Sequence, residues 1–463
     1  MKIPHSFCYA TLCVVLMFAA TSGTKAQIEV STLAGNDSKG SLIAAIKSAN
    51  AQKADPNKPV IIRFAKNLTG EIVLSMDLPA LENHISFAGN TDNTGKPVIT
   101  INGSVDPTVN EGLKGGVSPG FRLFSVTQGK TVLFENLILT KSNQSGIINE
   151  GGTVTVKNCV FTYNMGIGSV HGTAGAIQSE NGNLTVIASY FFYNTGGVGG
   201  TDGGVGYGGA GCIGIINGNA AVINSSFFEN EGGFGGVGVG SVAGAGVIMV
   251  HGGNISMANC TAAGNFGGGC IVTGGSGGII LIGGNMLILQ STIVDNLGGA
   301  GLGGFDGVDF CSGGIHVLAG KLTLGGNIFV GNRNGADEAT DIECQLSGEI
   351  RSLGHNLYGT ARMKISGSGD QKGVALKNVV VTTPEGKYKS EFTSGILSTI
   401  ALTADSPAKN QSAAITGISP VSSSDSNDKF FADVWSNYSS LLQADQNGKK
   451  RTTNPSIGAV EAY

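Results

Sequence analysis

Charge is scarce in this chain. Only 13% of its 463 residues are Asp, Glu, Lys or Arg, against about 25% in ordinary chains. The formal net charge is −4 and no basic stripe is present, which argues against nucleic-acid binding. There is one Trp. Beyond the first 26 residues no apolar run approaches the ~20 residues that span a bilayer as a helix. No Cys-x-x-Cys or Cys/His spacing points to a metal site. No Gly-x-Ser-x-Gly elbow and no phosphate loop with Lys occurs.

Glycine is what the chain has in excess, 76 residues, more than twice the usual share of about 7%. No strict third-residue period appears, so the glycine is not collagen-like. Val, Ile, Leu and Phe fill the gaps, so it is not a disordered linker. Gly with β-branched residues predicts many short strands joined by tight turns.

Residues 1–26 read as a secretory signal peptide. Lys2 supplies the positive start, Thr11 to Ala20 the apolar stretch, and Thr24-Lys25-Ala26 the small residues before cleavage at Gln27. Cleavage removes Lys2 and Lys25 and shifts the formal charge from −4 to −6. With no Cys at the cleavage point, release without a lipid is expected, to the outside or the outer cell surface. Six Cys remain: Cys159, Cys212, Cys260, Cys270, Cys311 and Cys344.

Internal repetition carries the fold reading. Units close on Asn143, Asn164, Asn194, Asn230, Asn265, Asn296 and Asn332, at spacings of 21, 30, 36, 35, 31 and 36. A turn glycine precedes each of the last six, at Gly152, Gly182, Gly218, Gly253, Gly284 and Gly320. A small residue opening a short apolar strand recurs as GAIQ, GCIG, GVIM, GIIL and GIHV. The segments VTVKNCVF and LTVIASYFF alternate with period 2, as half-buried strands do. Strands repeating without helices between them bury their apolar face only by stacking coil on coil. The expected fold is all-β, a right-handed parallel β-helix. The closing Asn residues are expected to take left-handed backbone and to stack as an amide ladder. Cys159 and Cys260 share a repeat position three units apart. At about 4.8 Å per coil they sit roughly 14 Å apart, too far for a disulfide.

The expected organisation is the signal peptide (1–26), an N-terminal cap and first coils (27–110), the Gly-rich repeat (111–344), and last coils with a loop-rich closing region (345–463). Coils are expected from about residue 60 to about residue 400. Ser41 to Ala49 predicts a short amphipathic cap helix with Leu42, Ala45, Ile46 and Ala49 on one face. The repeat lengths vary in Gly-rich insertions at 195–211, 231–246 and 297–314, which a solenoid gathers on one face.

Three stretches resemble known families. The GGA/GGI openings with FTYN, FFYN and FFEN closures resemble the repeats of polymorphic outer membrane proteins. VSTLAGNDSKGSLIAAIKSANA and IIRFAKNLTGEIVLSMDLPAL resemble the start of exported bacterial β-helix repeat proteins. LGHNLYG (353–359), LTADSPAKN (402–410) and DQNGKKRTTNPSIGAVE (445–461) resemble the choice-of-anchor Q domain. The resemblance implies an exported β-helix, and it implies no catalytic residues. In that family a sorting anchor commonly follows; here Ala462 and Tyr463 follow the motif directly, so direct anchoring is not expected.

Two functions fit: a noncatalytic cell-surface or secreted adhesion or binding scaffold, and a polysaccharide lyase or glycoside hydrolase on the same fold. Cutting needs carboxylates as general acid and base. The acids placed nearest the insertion face are Asp202, Glu229, Glu231, Asp306 and Asp309. Asp306 and Asp309, in FDGVDF, form the best local pair, with Asp202 next. No cofactor is expected, although a Ca2+ ion could sit in such a loop. His171, His251 and His316 are expected as structural residues that form no column with the acids. The thin charge favours the scaffold, with a polysaccharide or a host or cell-surface component as partner.

Overall fold

The computed structural model describes residues 27–105, 120–200, 204–301, 312–361, 365–412, 426–451 and 454–460. The repeat unit read from the sequence is one turn of a right-handed parallel β-helix. Each coil contributes three short strands, and each strand pairs in parallel with its counterparts in the coils before and after. Ile177–Glu180 pairs with Ile147–Glu150 and with Ile213–Ile216. Asn183–Ile187 pairs with Thr153–Lys157 and Gly218–Ile223. Tyr190–Phe192 pairs with Val160–Thr162 and Ser226–Phe228. The third strands form a ten-stranded sheet running from Gly70–Val73 to Leu357–Tyr358.

The glycine series and the strand-opening isoleucines fall in register: Thr153, Asn183, Asn219, Asn254, Asn285 and Lys321 each follow their turn glycine and lie side by side. Ile177, Ile213, Ile248, Ile279 and Ile315 form another such row. Alternate side chains point inward, so like stacks on like. Phe161, Phe191 and Phe227 stack with centroids 4.9 and 4.7 Å apart. Burying each ring removes its apolar surface from water, worth roughly 1.5–3 kcal/mol.

The closing Asn residues form the expected ladder. Asn164 Nδ2 donates to Asn194 Oδ1, Asn194 to Asn230, Asn230 to Asn265, Asn265 to Asn296 and Asn296 to Asn332, all at 2.8–2.9 Å. The second Nδ2 hydrogen reaches a third-strand carbonyl, as in Asn194 to Phe161 at 2.9 Å. Two details differ from expectation. Asn143 is one residue out of step: it is Ser142 whose N–H meets Asn164 Oδ1 at 3.1 Å. The left-handed residue is the one before each Asn: Tyr163, Tyr193, Glu229 and Asp295 have φ of 55, 53, 53 and 52°. That kink aims the following amide into the interior.

A second ladder runs five residues earlier. The N–H groups of Cys159, Ser189, Ser225, Cys260, Ser291 and Asn327 reach in turn Ser189, Ser225, Cys260, Ser291, Asn327 and Asn356 at 2.9–3.4 Å. Cys159 and Cys260 are therefore three rungs apart, and both are free thiols. Burial pushes each up to about 12, so they are inert packing groups.

The described parts of the Gly-rich insertions fold as a packed slab. N–H to O=C bonds of 2.8–3.0 Å run from Gly209 to Gly197, Gly233 to Gly209, Gly244 to Gly233, Gly268 to Gly244 and Gly275 to Gly268. A Cβ on Gly233 would lie 1.9 Å from the Gly197 oxygen, and one on Gly244 1.8 Å from the Gly209 oxygen. Glycine is required here because backbones touch.

The cap helix is Leu42–Asn50, N-capped by Ser41 Oγ accepting from Ala44 N at 3.1 Å, with Leu42, Ile43, Ala45, Ile46 and Ala49 buried. Past Gln371, which bridges Leu357, the chain returns along the outside of the solenoid instead of adding coils to residue 400. Val379, Val380, Ile400, Ala408 and Ile457 pack on the outward Phe228, Ala263, Val294, Ile328 and Val330. A helix, Ser426–Leu442, sets Phe431, Val434 and Leu442 against Ala221, Ile223, Ala258, Leu287 and Leu289. This helix is absent from the sequence reading, although Phe430, Phe431, Val434, Trp435, Tyr438, Leu441 and Leu442 follow helical spacing.

Candidate functional site

Ala174, Ala210, Val242, Ala245, Met249 and Ile280 pack together where the glycine slab meets the first-strand column. Gly214 follows Gln178 in the outward row, and the Gln178 side chain lies over it: a Cβ on Gly214 would meet Gln178 Oε1 at 2.3 Å and the Ala174 methyl at 3.2 Å. Beside Gln178 lies a groove of about 350 Å³, lined by Ser169, His171, Thr173, Gln178, Glu180 and His251 and by the apolar Val170, Ala210, Ile216 and Met249.

Repeat geometry places these groups. Glu180, Ile216 and His251 lie at successive rungs, because Ser179 pairs with Ile215 and Ile215 with Val250. His171 and Tyr207 come from successive slab segments, and Tyr207 N–H donates to His171 Nδ1 at 3.3 Å. The Tyr207 ring lies 5.0 Å from His171 and 5.1 Å from His251, and the two imidazoles are 6.3 Å apart. Gln178 is fixed at both ends: Oε1 accepts from Ala174 N at 2.9 Å and Nε2 donates to Glu180 Oε1 at 3.2 Å. Burial, reinforced by repulsion from His171, holds His251 down at about 4. It is therefore neutral near pH 7, with one donor and one acceptor nitrogen. The groove thus offers rings, an amide, hydroxyls and one carboxylate. Its lining among the described residues includes no Lys or Arg.

The expectation that the histidines form no column with the acids is corrected for His251, which shares its row with Glu180 two rungs away. His171 meets His251 over Tyr207. His316 stays apart, fully buried, with neither ring nitrogen hydrogen-bonded, and burial holds it down at about 4. Glu150 and Glu180, which the sequence reading did not single out, pair directly in register, so one column carries two carboxylates on adjacent coils.

Asp202, Asp306 and Asp309 lie outside the described residues, as does Cys311. Glu229 and Glu231 flank Asn230, away from the groove. Glu229 Oε1 accepts from Tyr388 Oη of the returning C-terminal segment at 2.5 Å, while Glu231 bridges Thr195 and Phe266. Among the described residues no group of three or more His, Cys, Asp or Glu is placed to hold a metal ion. No helix among them is long and apolar enough to cross a membrane.

No family model and no curated protein matches this chain. Among solved structures it is similar to pectate lyase Pel9A, at 15% identity over 95% of this chain and 97% of that one, with a TM-score of 0.36. At that similarity nothing of the lyase's chemistry transfers.

Proposed function

We propose that the protein is an exported, noncatalytic binding scaffold whose groove takes a strand of neutral polysaccharide. The observation that carries this is the groove's composition. Neutral His251 offers a ring face and hydrogen-bonding edges beside His171 and Gln178, as neutral sugars require, and Tyr207, outside the lining, packs on both imidazoles. A polyuronate would need cations to offset its charge, and the lining presents Glu180 instead. Export rests on the first 26 residues. The polymorphic outer membrane protein-like repeats and the C-terminal motif remain resemblances in support of it, and the cell surface or the medium is the proposed location.

The glycoside hydrolase reading has one observation in its favour, the Glu150–Glu180 pair on adjacent coils. Register partners on adjacent coils have backbones about 4.8 Å apart, and a retaining mechanism uses carboxyl groups about 5–5.5 Å apart. Glu150, however, is exposed and outside the groove lining, so a sugar held between His171 and His251 would not lie between the two acids.

The test is retention of the mature protein on insoluble neutral polysaccharides. Retention that falls at least tenfold in Tyr207→Ala and His251→Ala supports the groove. Retention unchanged in both removes it.

A further inference from the structure

A second surface, on the far side of the coil, carries aromatic rings that the groove does not use. The left-handed turn before each ladder Asn projects its side chain outward. In four successive coils that residue is Lys141, Tyr163, Tyr193 and Glu229. Tyr163 and Tyr193 stack with centroids 5.3 Å apart and planes 28° apart. Tyr193 also touches Phe192 at 3.9 Å, and Phe192 lies 5.8 Å from Tyr190. The returning C-terminal segment completes the patch: Phe392, in the hairpin strand Ser390–Ser394, meets Tyr190 edge-on at 5.5 Å. Tyr193 is 43% exposed and Phe392 63% exposed.

Of the outward aromatics of this sheet, Tyr190, Phe192 and Phe228, only the last is fully covered. Phe228, one rung further on, is buried beneath the C-terminal segment and packs near Tyr388 at 5.8 Å. The five rings sit where that cover ends, so two distant parts of the chain build one open platform. Tyr193 and Phe392 are exposed and Tyr163, Tyr190 and Phe192 are half-buried behind them; exposed rings backed by others in one place mark a contact surface.

We propose that this platform binds a neutral pyranose chain lying parallel to the solenoid axis. The apolar C–H face of a sugar ring stacks on an aromatic face, whose electron density favours such contacts. One side chain is presented per coil, about every 4.8 Å, close to the length of one pyranose in an extended chain. Lys141 and Glu229 bracket the two tyrosines, supplying a donor and an acceptor for hydroxyl groups, and their charges cancel. Glu229 is held in place by Tyr388. The rings alternate with polar groups such as Thr162 and Lys389, the latter paired with Glu391 at 3.1 Å, which suits the alternation of C–H faces and hydroxyl groups on a sugar chain. The platform stands on a different face from the groove and does not depend on it.

The test is affinity electrophoresis through gels containing laminarin, xylan, galactomannan or hydroxyethylcellulose, with polygalacturonate as the charged comparison. Tyr207→Ala, which takes away the ring packed on both groove imidazoles, serves as the background in which groove binding is weakened. At least one neutral polymer is expected to retard that variant. Adding Tyr163→Asn and Tyr193→Asn, which keep a residue tolerant of left-handed backbone, is expected to weaken retardation at least tenfold with the melting temperature unchanged. Phe392→Ser, outside the coils, is expected to act in the same direction if the double change unfolds the chain. Retardation that survives these changes overturns the proposal, as does a Tyr207→Ala variant that no neutral polymer retards. Ring-dependent self-association on size exclusion without retardation overturns it too. If Tyr207→Ala retains all binding and the tyrosine variants lose it, the groove reading fails while the platform stands.

Discussion

Asn332 gives both its backbone N–H and its side-chain amide to one oxygen of Asp341, at 3.0 and 2.7 Å. The other Asp341 oxygen accepts from Thr360 N–H at 2.6 Å. The ladder that began at Asn164 thus ends on a carboxylate. An Asn can accept on one side only, whereas the last rung must accept on both. The second ladder ends alike, with Asn356 N–H and Nδ2 donating to Asp370 Oδ1 at 2.9 and 3.0 Å.

Asp341→Asn is expected to destabilise the fold at pH 7 by about 1–3 kcal/mol, because its amide would face the Thr360 N–H. The comparison with wild type also carries a pH signature. Burial pushes the Asp341 carboxyl up to about 6 from its ordinary 3.8, so its protonated form is favoured by folding. That contribution is full below about pH 4 and is lost as pH rises through about 6, an interval of about 3 kcal/mol. Urea unfolding between pH 4 and 7 should show the gap between wild type and variant widening as pH falls. A gap that narrows would contradict this.

Mid-ladder, Asn265 accepts from Asn230 and donates to Asn296 and to the Phe227 carbonyl. Asn265→Ala takes the shared acceptor from the buried Asn230 N–H and Nδ2, while Asn296 Oδ1 keeps the Asn265 backbone N–H. A loss of about 2–4 kcal/mol is expected, read as a lower urea midpoint. Asn143→Ala, one residue out of step with the ladder, should cost clearly less.

The slab makes a separate prediction. Gly233→Ala forces a methyl against the Gly197 carbonyl, and a loss of at least ~1–3 kcal/mol is expected from overpacking. At Gly283 a Cβ would meet its nearest foreign atom, the His251 oxygen, only at 3.3 Å, so Gly283→Ala should cost clearly less. Thermal unfolding separates the two; equal effects would mean the insertions are loose loops.

The coil register was legible because identical residues recur on one face: Asn at the ladder, Gly at the turn, Ile at the strand opening. The second ladder was not, because Cys, Ser, Asn and Asp take turns at it and only their shared hydrogen-bonding role unites them. The groove was hidden for a related reason. His171 and Tyr207 sit in insertions of unequal length, so their meeting depends on slab packing and not on sequence offset. His251 was within reach, since aligning the repeats on Ile213 and Ile248 already sets it opposite Ile216 and Glu180. The C-terminal helix was obscured by the Ser, Asp and Asn around its aromatic residues.

The central claim is binding without cleavage, and one time course tests both halves. The mature protein is incubated with an insoluble neutral polysaccharide that retains it, and bound protein and new reducing ends are followed together, alongside Tyr207→Ala and Glu180→Gln. The account predicts bound protein with no reducing ends above the protein-free blank, and binding lost in Tyr207→Ala. Reducing ends that accumulate with wild type and vanish with Glu180→Gln would contradict it and make the chain an enzyme.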